Sequence, residues 1–181
     1  QSPDRERQVI TRAFIPIAYA HWEGYVKSVA QAYVEFVVCQ RLKLSQLNTS
    51  FQSLYFSINY YKELHTLKRH ALQKIFLSLQ ENADSRVHFK SKDVISTQSN
   101  LNNLVVTDIC LNIGIDPKCF TEDDMEFIDE TLIVKRNHIA HGEKFNIDHN
   151  ETNKIADNVI ILIETFKNQI DNQASERKYI A

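Results

Sequence analysis

The run Lys135-Arg136-Asn137-His138-Ile139-Ala140-His141-Gly142 places a guanidinium, a carboxamide and an imidazole within six positions, where a helix is expected to end. Arginine carries a permanent charge on a planar fork of donors that matches phosphate oxygens. Histidine is the side chain whose ordinary pKa lets it move protons near neutral pH. Together they point to a phosphodiester. Along an ideal helix the five steps from Arg136 to His141 rotate by about 140°. The two therefore converge only if the helix stops between them or a second copy of the chain supplies one of them. Asn137 and His141, four apart, can share a face. Another reading of the same residues stays open. Lys135, Arg136, His138 and His141 crowd a helix C-terminus, where cations are favoured by the macrodipole and can bond the last carbonyls.

The elements that must position this run are helices. The 181 residues include only 3 Gly and 3 Pro, too little punctuation for a many-turned β protein. The chain is expected to be all-α, a single helical domain over 1–181, with an N-terminal helix at 1–15, a bundle over 17–172 and a tail at 173–181. Ser2-Pro3-Asp4 is a helix start with Pro at the first position, and Pro16 predicts a kink or a break. From Ile17 to about Leu42, Tyr19, Trp22, Val26, Val29, Ala30, Tyr33 and Val37 fall at helical spacing. Leu54 through Leu79 continue the rhythm to about Glu81, and residues 82–99, without a period, read as the principal loop. A helix over about Asn100 to Asn112 ends at Gly114. Thr121 with Asp124 resembles a capping box that opens a helix to about Ile139 or Ala140, stopped by Gly142. The last helix, about Asn150 to Asn172, carries the stripe Ile155, Val159, Leu162, Ile163 and Phe166.

Net charge is −2 with a pI near 6.4, so bulk positive charge does not recruit nucleic acid. Between Lys62 and Asp93, seven Lys/Arg stand against four Asp/Glu, whereas Asp116 to Glu130 holds seven acids and one base. Both read first as ordinary solvated faces, and only the former could be a shallow basic face. Three cysteines, Cys39, Cys110 and Cys119, form no CxxC framework, which suggests a reducing compartment and a cytoplasmic protein. No apolar run approaches a membrane span and no signal peptide is legible at the start. The chain begins at Gln1 without a methionine and reads as trimmed or as a fragment.

Arg136-Asn137-His138-Ile139-Ala140-His141-Gly142 resembles the signature of the HEPN superfamily, an Arg followed after four to six residues by His, often RNxxAHG. Tyr19-Ala20-His21-Trp22-Glu23-Gly24-Tyr25-Val26-Lys27 is similar to the early helix of bacterial stand-alone HEPN nucleases, and Ser96-Thr97-Gln98-Ser99-Asn100-Leu101 to a further segment of the same group. The resemblance implies a helical bundle that forms a two-fold dimer and brings two Arg/His motifs into one cleft. It also implies a metal-independent endoribonuclease in a toxin–antitoxin or antiviral defence role, with a possible antitoxin or regulatory partner protein. Carried over residue by residue, Arg136 and His141 take catalytic roles, Asn137 a supporting polar role and Glu23 the acidic position. Lys135, His138 and His21 are the expected substrate contacts.

The chemistry holds beside the resemblance. RNA carries its own nucleophile, the 2′-OH, so cleavage needs a base, a proton donor for the leaving 5′-oxygen and cations against the developing phosphorane charge. His141 suits the proton transfers, Arg136 the charge, Asn137 the orientation of a phosphate or the imidazole, and Glu23 the holding of His141 or an arginine. The expected product ends in a 2′,3′-cyclic phosphate, and no cofactor is called for. A zinc reading of His138, His141, Asp148 and His149 lacks a cysteine pair or HExxH. Trp22 and Tyr25 could stack on bases but at helical spacing are more often core. Phe51, Tyr55, Phe56, Tyr60 and Tyr61 are dense enough for a dimer surface, with core the commoner outcome. Two other functions compete: a non-catalytic HEPN module that binds RNA or nucleotide or mediates assembly, and a helical adaptor in which the motif only caps a helix.

Overall fold

The computed structural model describes residues 3–60, 69–88, 90–143 and 149–181. The chain is all-α, and among the described residues there are only two isolated β-bridges, Lys43 with Arg86 and Leu47 with Ile180. The helices are α1 (Pro3–Cys39), α2 (Thr49–Asn59), α3 (Arg69–Glu81), the single turn α4 (Ser91–Val94), α5 (Asn103–Asn112), α6 (Glu122–Glu126), α7 (Val134–Ala140) and α8 (His149–Ser175). A π-helical segment, Phe127–Ile133, joins α6 to α7 without interruption. The expectation of one helix from Thr121 to Ala140 therefore holds with a change of register in its middle.

Two further expectations change. Pro16 does not break α1, which runs through it as one helix; losing a single rung is tolerated in so long an element. The rhythm from Leu54 to Leu79 is not one helix, because α2 stops at Asn59 and Tyr60 leaves the helical region at φ −126°, ψ 26°. Ser57 Oγ donates to the Leu54 carbonyl and Asn59 Nδ2 to the Tyr55 carbonyl, so polar side chains compete for the last turn's acceptors. Tyr61 and the rest of 61–68 lie outside the described residues.

The residues group into two compact units, and α1, α5 and α8 contribute to both. One unit comprises Gln1–Ser28, Thr97–Thr107 and Pro117–Asn168. Its core is Ile15, Trp22 and Val26 of α1 with Leu101, Phe120, Ile128, Leu132, Ile155, Leu162 and Phe166. Trp22 is fully buried and meets Phe120 edge-on at 6.0 Å, so it is core and not a platform for a base. The π segment follows from the apolar spacing: Ile128, Leu132 and Ile133 are all buried, and the step of five from Ile128 to Ile133 fits the wider π turn.

The second unit comprises Val29–Ser96, Asp108–Asp116 and Gln169–Ala181. Tyr33, Val34, Val37, Leu47, Phe51, Ile95, Ile113 and Ile115 are buried there. Phe51 and Phe56 belong to the core, while Tyr55 and Tyr60 are half-buried, Tyr55 meeting Phe56 edge-on and Tyr60 stacking on it. Asn48 ties this unit together. Its Oδ1 accepts from Phe51 N as the cap of α2, its Nδ2 donates to the Lys178 carbonyl at 2.7 Å, and its own N–H donates to the Tyr179 carbonyl at 2.8 Å. Gly114 ends α5 at φ +80°, and a Cβ there would lie 3.0 Å from Asn48 Nδ2, so glycine is needed twice over. The residues expected as a tail are folded back, with Tyr179 buried at 3 % exposure.

Candidate functional site

The motif run sits on α7 and its C-terminal cap, all within the first unit. The helix stops where the sequence requires. His141 is the C-cap at φ −84°, ψ 2°, and Gly142 takes the left-handed conformation at φ +75°. Gly142 N–H donates to the Ile139 carbonyl at 3.0 Å and Glu143 N–H to the His138 carbonyl at 2.9 Å, the paired bonds of a Schellman cap. The chain stays helical from Arg136 through Ala140 and stops only at His141, so the turn of about 140° between the two side chains is kept within one chain. The His141 ring is exposed, and no hydrogen bond among the described residues engages it. The helical N-terminus of the same run has the anticipated capping box, with Thr121 Oγ1 accepting from Asp124 N and Asp124 Oδ2 accepting from Thr121 N at 2.8 Å.

Arg136 is held on three sides. Its guanidinium carbon lies 4.5 Å from the centroid of the Tyr19 ring on α1. Nη1 donates to Asn137 Oδ1 at 2.8 Å, and Nη2 donates to the Ser99 carbonyl at 3.2 Å. Tyr19 is in turn fixed, being 3 % exposed with its hydroxyl accepting from the buried Leu101 N–H at 2.7 Å. Burial raises the phenol's pKa; the Leu101 bond and the Arg136 charge oppose that, and the charge of Glu23 and a hydrogen bond to it reinforce it. Tyr19 and Glu23 are one helical turn apart, so Glu23 joins the cluster through the phenol. Arg136 and Asn137 are thus joined by a hydrogen bond beside the Tyr19 ring, with Glu23 one helical turn along α1 from Tyr19.

The other anticipated residues lie elsewhere. Lys135 Nζ pairs with Glu151 at 2.5 Å, and His138 Nδ1 bonds Glu143 Oε2. Arg12 Nη2 donates to the Glu143 carbonyl at 2.6 Å, so α1 also grips the residue just after the motif. His21 is two residues from Tyr19, about 200° around α1, and lines a mostly apolar groove of about 710 Å3 with Ile17, Tyr25, Val159 and Ile160. That face is turned away from Arg136. Among the described residues no cluster of His, Cys, Asp and Glu is arranged for a metal ion, and Asp148 lies outside them. No disulfide joins Cys39, Cys110 and Cys119. No helix among the described residues is long and apolar enough to cross a membrane.

Sequence reasoning missed Tyr19 as a site residue. The signal is there, since Tyr19 and Glu23 are four apart, but Tyr19 also belongs to the apolar stripe of α1 and is buried with it. It is both. Sequence reasoning likewise had no means to find the Ser99 carbonyl, a backbone group.

The arrangement can hold an anion. A guanidinium with its plane and edges fixed stands five residues before an exposed imidazole, at the C-terminal end of the same helix. In comparison with known proteins, the family model described as RiboL-PSP-HEPN matches residues 1–172. No curated protein and no solved structure matches the chain. The family model matches nearly the whole chain and the fold is all-α, which establishes that this chain belongs to the HEPN family.

Proposed function

We propose that this protein is a metal-independent endoribonuclease that cleaves RNA by attack of the 2′-OH, leaving a 2′,3′-cyclic phosphate. The observation that supports it best is the fixed Arg136 guanidinium on the same short helix that the exposed His141 ring caps. His141 takes the 2′-OH proton as base, and the developing phosphorane charge falls to Arg136. Asn137 orients Arg136 and Glu23 holds Tyr19 beneath it. Because a single imidazole cannot be base and acid in the same step, the second proton transfer falls to His141 of a second copy in a two-fold dimer. The setting is cytoplasmic, in toxin–antitoxin or antiviral defence, with a regulatory or antitoxin partner. An RNA substrate carrying one 2′-deoxy sugar at a mapped cleavage site tests the reaction. That bond is spared and others are cut if the 2′-OH is the nucleophile; cleavage at the deoxy position contradicts it.

One observation favours a second reading, a non-catalytic HEPN module that binds RNA or nucleotide or mediates assembly. Two of Arg136's donors are already engaged by Asn137 and Ser99, as they would be for a purely structural arginine. RNA binding without cleavage by the dimeric protein would select it.

A further inference from the structure

The segment 97–101 has an unusual backbone. Gln98 and Ser99 lie at φ 53° and 60°, two successive residues with a Cβ in the left-handed region, which is unfavourable for L residues and persists where the surroundings impose it. The anchors are Thr97 and Leu101, 5 % and 0 % exposed. The turn they enforce delivers two groups to one place. The Ser99 carbonyl accepts from Arg136 Nη2 at 3.2 Å, and the Leu101 N–H donates to the Tyr19 hydroxyl at 2.7 Å. The same strained turn therefore fixes one edge of the guanidinium and the ring beneath its face.

Resting on the reading of Arg136 as the cation that meets the phosphate, we infer that Tyr19 is a positioning residue for Arg136, set in place by the left-handed turn at Gln98-Ser99. The ring of Tyr19 fixes the plane of the guanidinium. Asn137 Oδ1 and the Ser99 carbonyl fix its rotation within that plane and occupy two of its five N–H donors, so three remain for a phosphate. Arg136 is thereby oriented before the substrate arrives, and no reorganisation is left for the moment of reaction. An arginine that served only to cap α7 would need neither the ring nor the strained turn.

The test compares Tyr19→Phe, which keeps the ring, with Tyr19→Met, which fills similar space without one. Two readouts are taken: RNA cleavage kinetics, and the side-chain NMR signals of Arg136. In the parent the Arg136 signals are shifted by the Tyr19 ring current, and rotation about the Cζ–Nη bonds is slow. The phenylalanine variant keeps the ring but loses the hydroxyl that holds it to Leu101, so the ring-current shift shrinks without vanishing and kcat falls about three- to tenfold, less than in the methionine variant. The methionine variant loses the shift, its Nη rotation speeds up, and kcat falls about 10- to 100-fold with KM changed less than about threefold, because orientation matters most in the transition state. Unchanged Arg136 signals in a folded methionine variant overturn the inference. If that variant does not fold, the parent alone decides, since Arg136 signals without ring-current shift or hindered rotation overturn it equally. A parent that shows both signatures yet cleaves no RNA removes the ribonuclease reading and leaves the positioning of Arg136 standing.

Discussion

Arg136 lies over the ring of Tyr19, its guanidinium carbon 4.5 Å from the ring centroid, which joins the motif helix to the early helix of the chain. The contact needs a planar cation: lysine has neither the flat face to stack nor the fork that reaches Asn137 and Ser99 together. Arg136→Lys is therefore expected to lower kcat for RNA cleavage by about 10²- to 10³-fold. The lost stacking contributes roughly 1 kcal/mol, a drop of about 2–4 °C in melting temperature for a chain of this size. Cleavage kinetics beside a thermal melt check both parts; a large loss of stability with activity preserved would reverse the assignment.

The cap at Gly142 makes a separable prediction. A Cβ there meets no atom within 4 Å, so alanine is penalised only by the backbone at φ +75°. Gly142→Ala should cost roughly 1–2 kcal/mol, and Gly142→Asn less, because asparagine tolerates the left-handed region. Urea denaturation reads both. Both variants also shift His141, the preceding residue, so cleavage should fall more than stability does.

These two sites show how far the sequence could be read. The helix end was legible because glycine after a cationic turn is a local signal, and the Thr121–Asp124 box opening the same run was legible for the same reason. Arg136 and Asn137 were legible from residue type and spacing, Glu23 only through the family resemblance, and a hydrogen bond joins the first two. Lys135 and His138 were not distinguishable by charge alone from residues that meet a substrate, yet Glu151 and Glu143 occupy them. His21 was grouped with Glu23 by proximity in sequence, although two residues on a helix point to opposite sides. The π segment left only a faint trace, the step of five between Ile128 and Ile133. The left-handed pair Gln98 and Ser99 left none, because neither is glycine and the turn is imposed by tertiary packing.

Trp22 tests the separation of core from site. It is fully buried against Phe120, so Trp22→Ala should destabilise by about 3–5 kcal/mol. A denaturant titration measures it. Loss of RNA binding with full stability would instead return Trp22 to the role of a base-stacking residue.

Tyr33 carries the pH dependence. Burial pushes its phenol well above the ordinary 10.0, and nearby Tyr179 acts in the same direction. A raised pKa means that the folded state holds the proton more tightly. The stability this contributes is complete below about pH 10 and is lost as pH rises from there toward the folded-state value. The hydroxyl is also buried, and among the described residues it has no hydrogen-bond partner. Tyr33→Phe should therefore gain roughly 1 kcal/mol at neutral pH and flatten the loss of stability above about pH 10. Urea midpoints at neutral and alkaline pH, parent against variant, decide it.

The central claim is that Arg136 and His141 form a ribonuclease site that works without metal. The most direct measurement incubates the parent protein and His141→Ala with a mixed RNA pool in EDTA, after both are shown to melt at the same temperature. Cleavage by the parent alone, with cyclic-phosphate ends, is the predicted result. Equal cleavage by the two proteins, or none by the parent as an intact dimer, would contradict it.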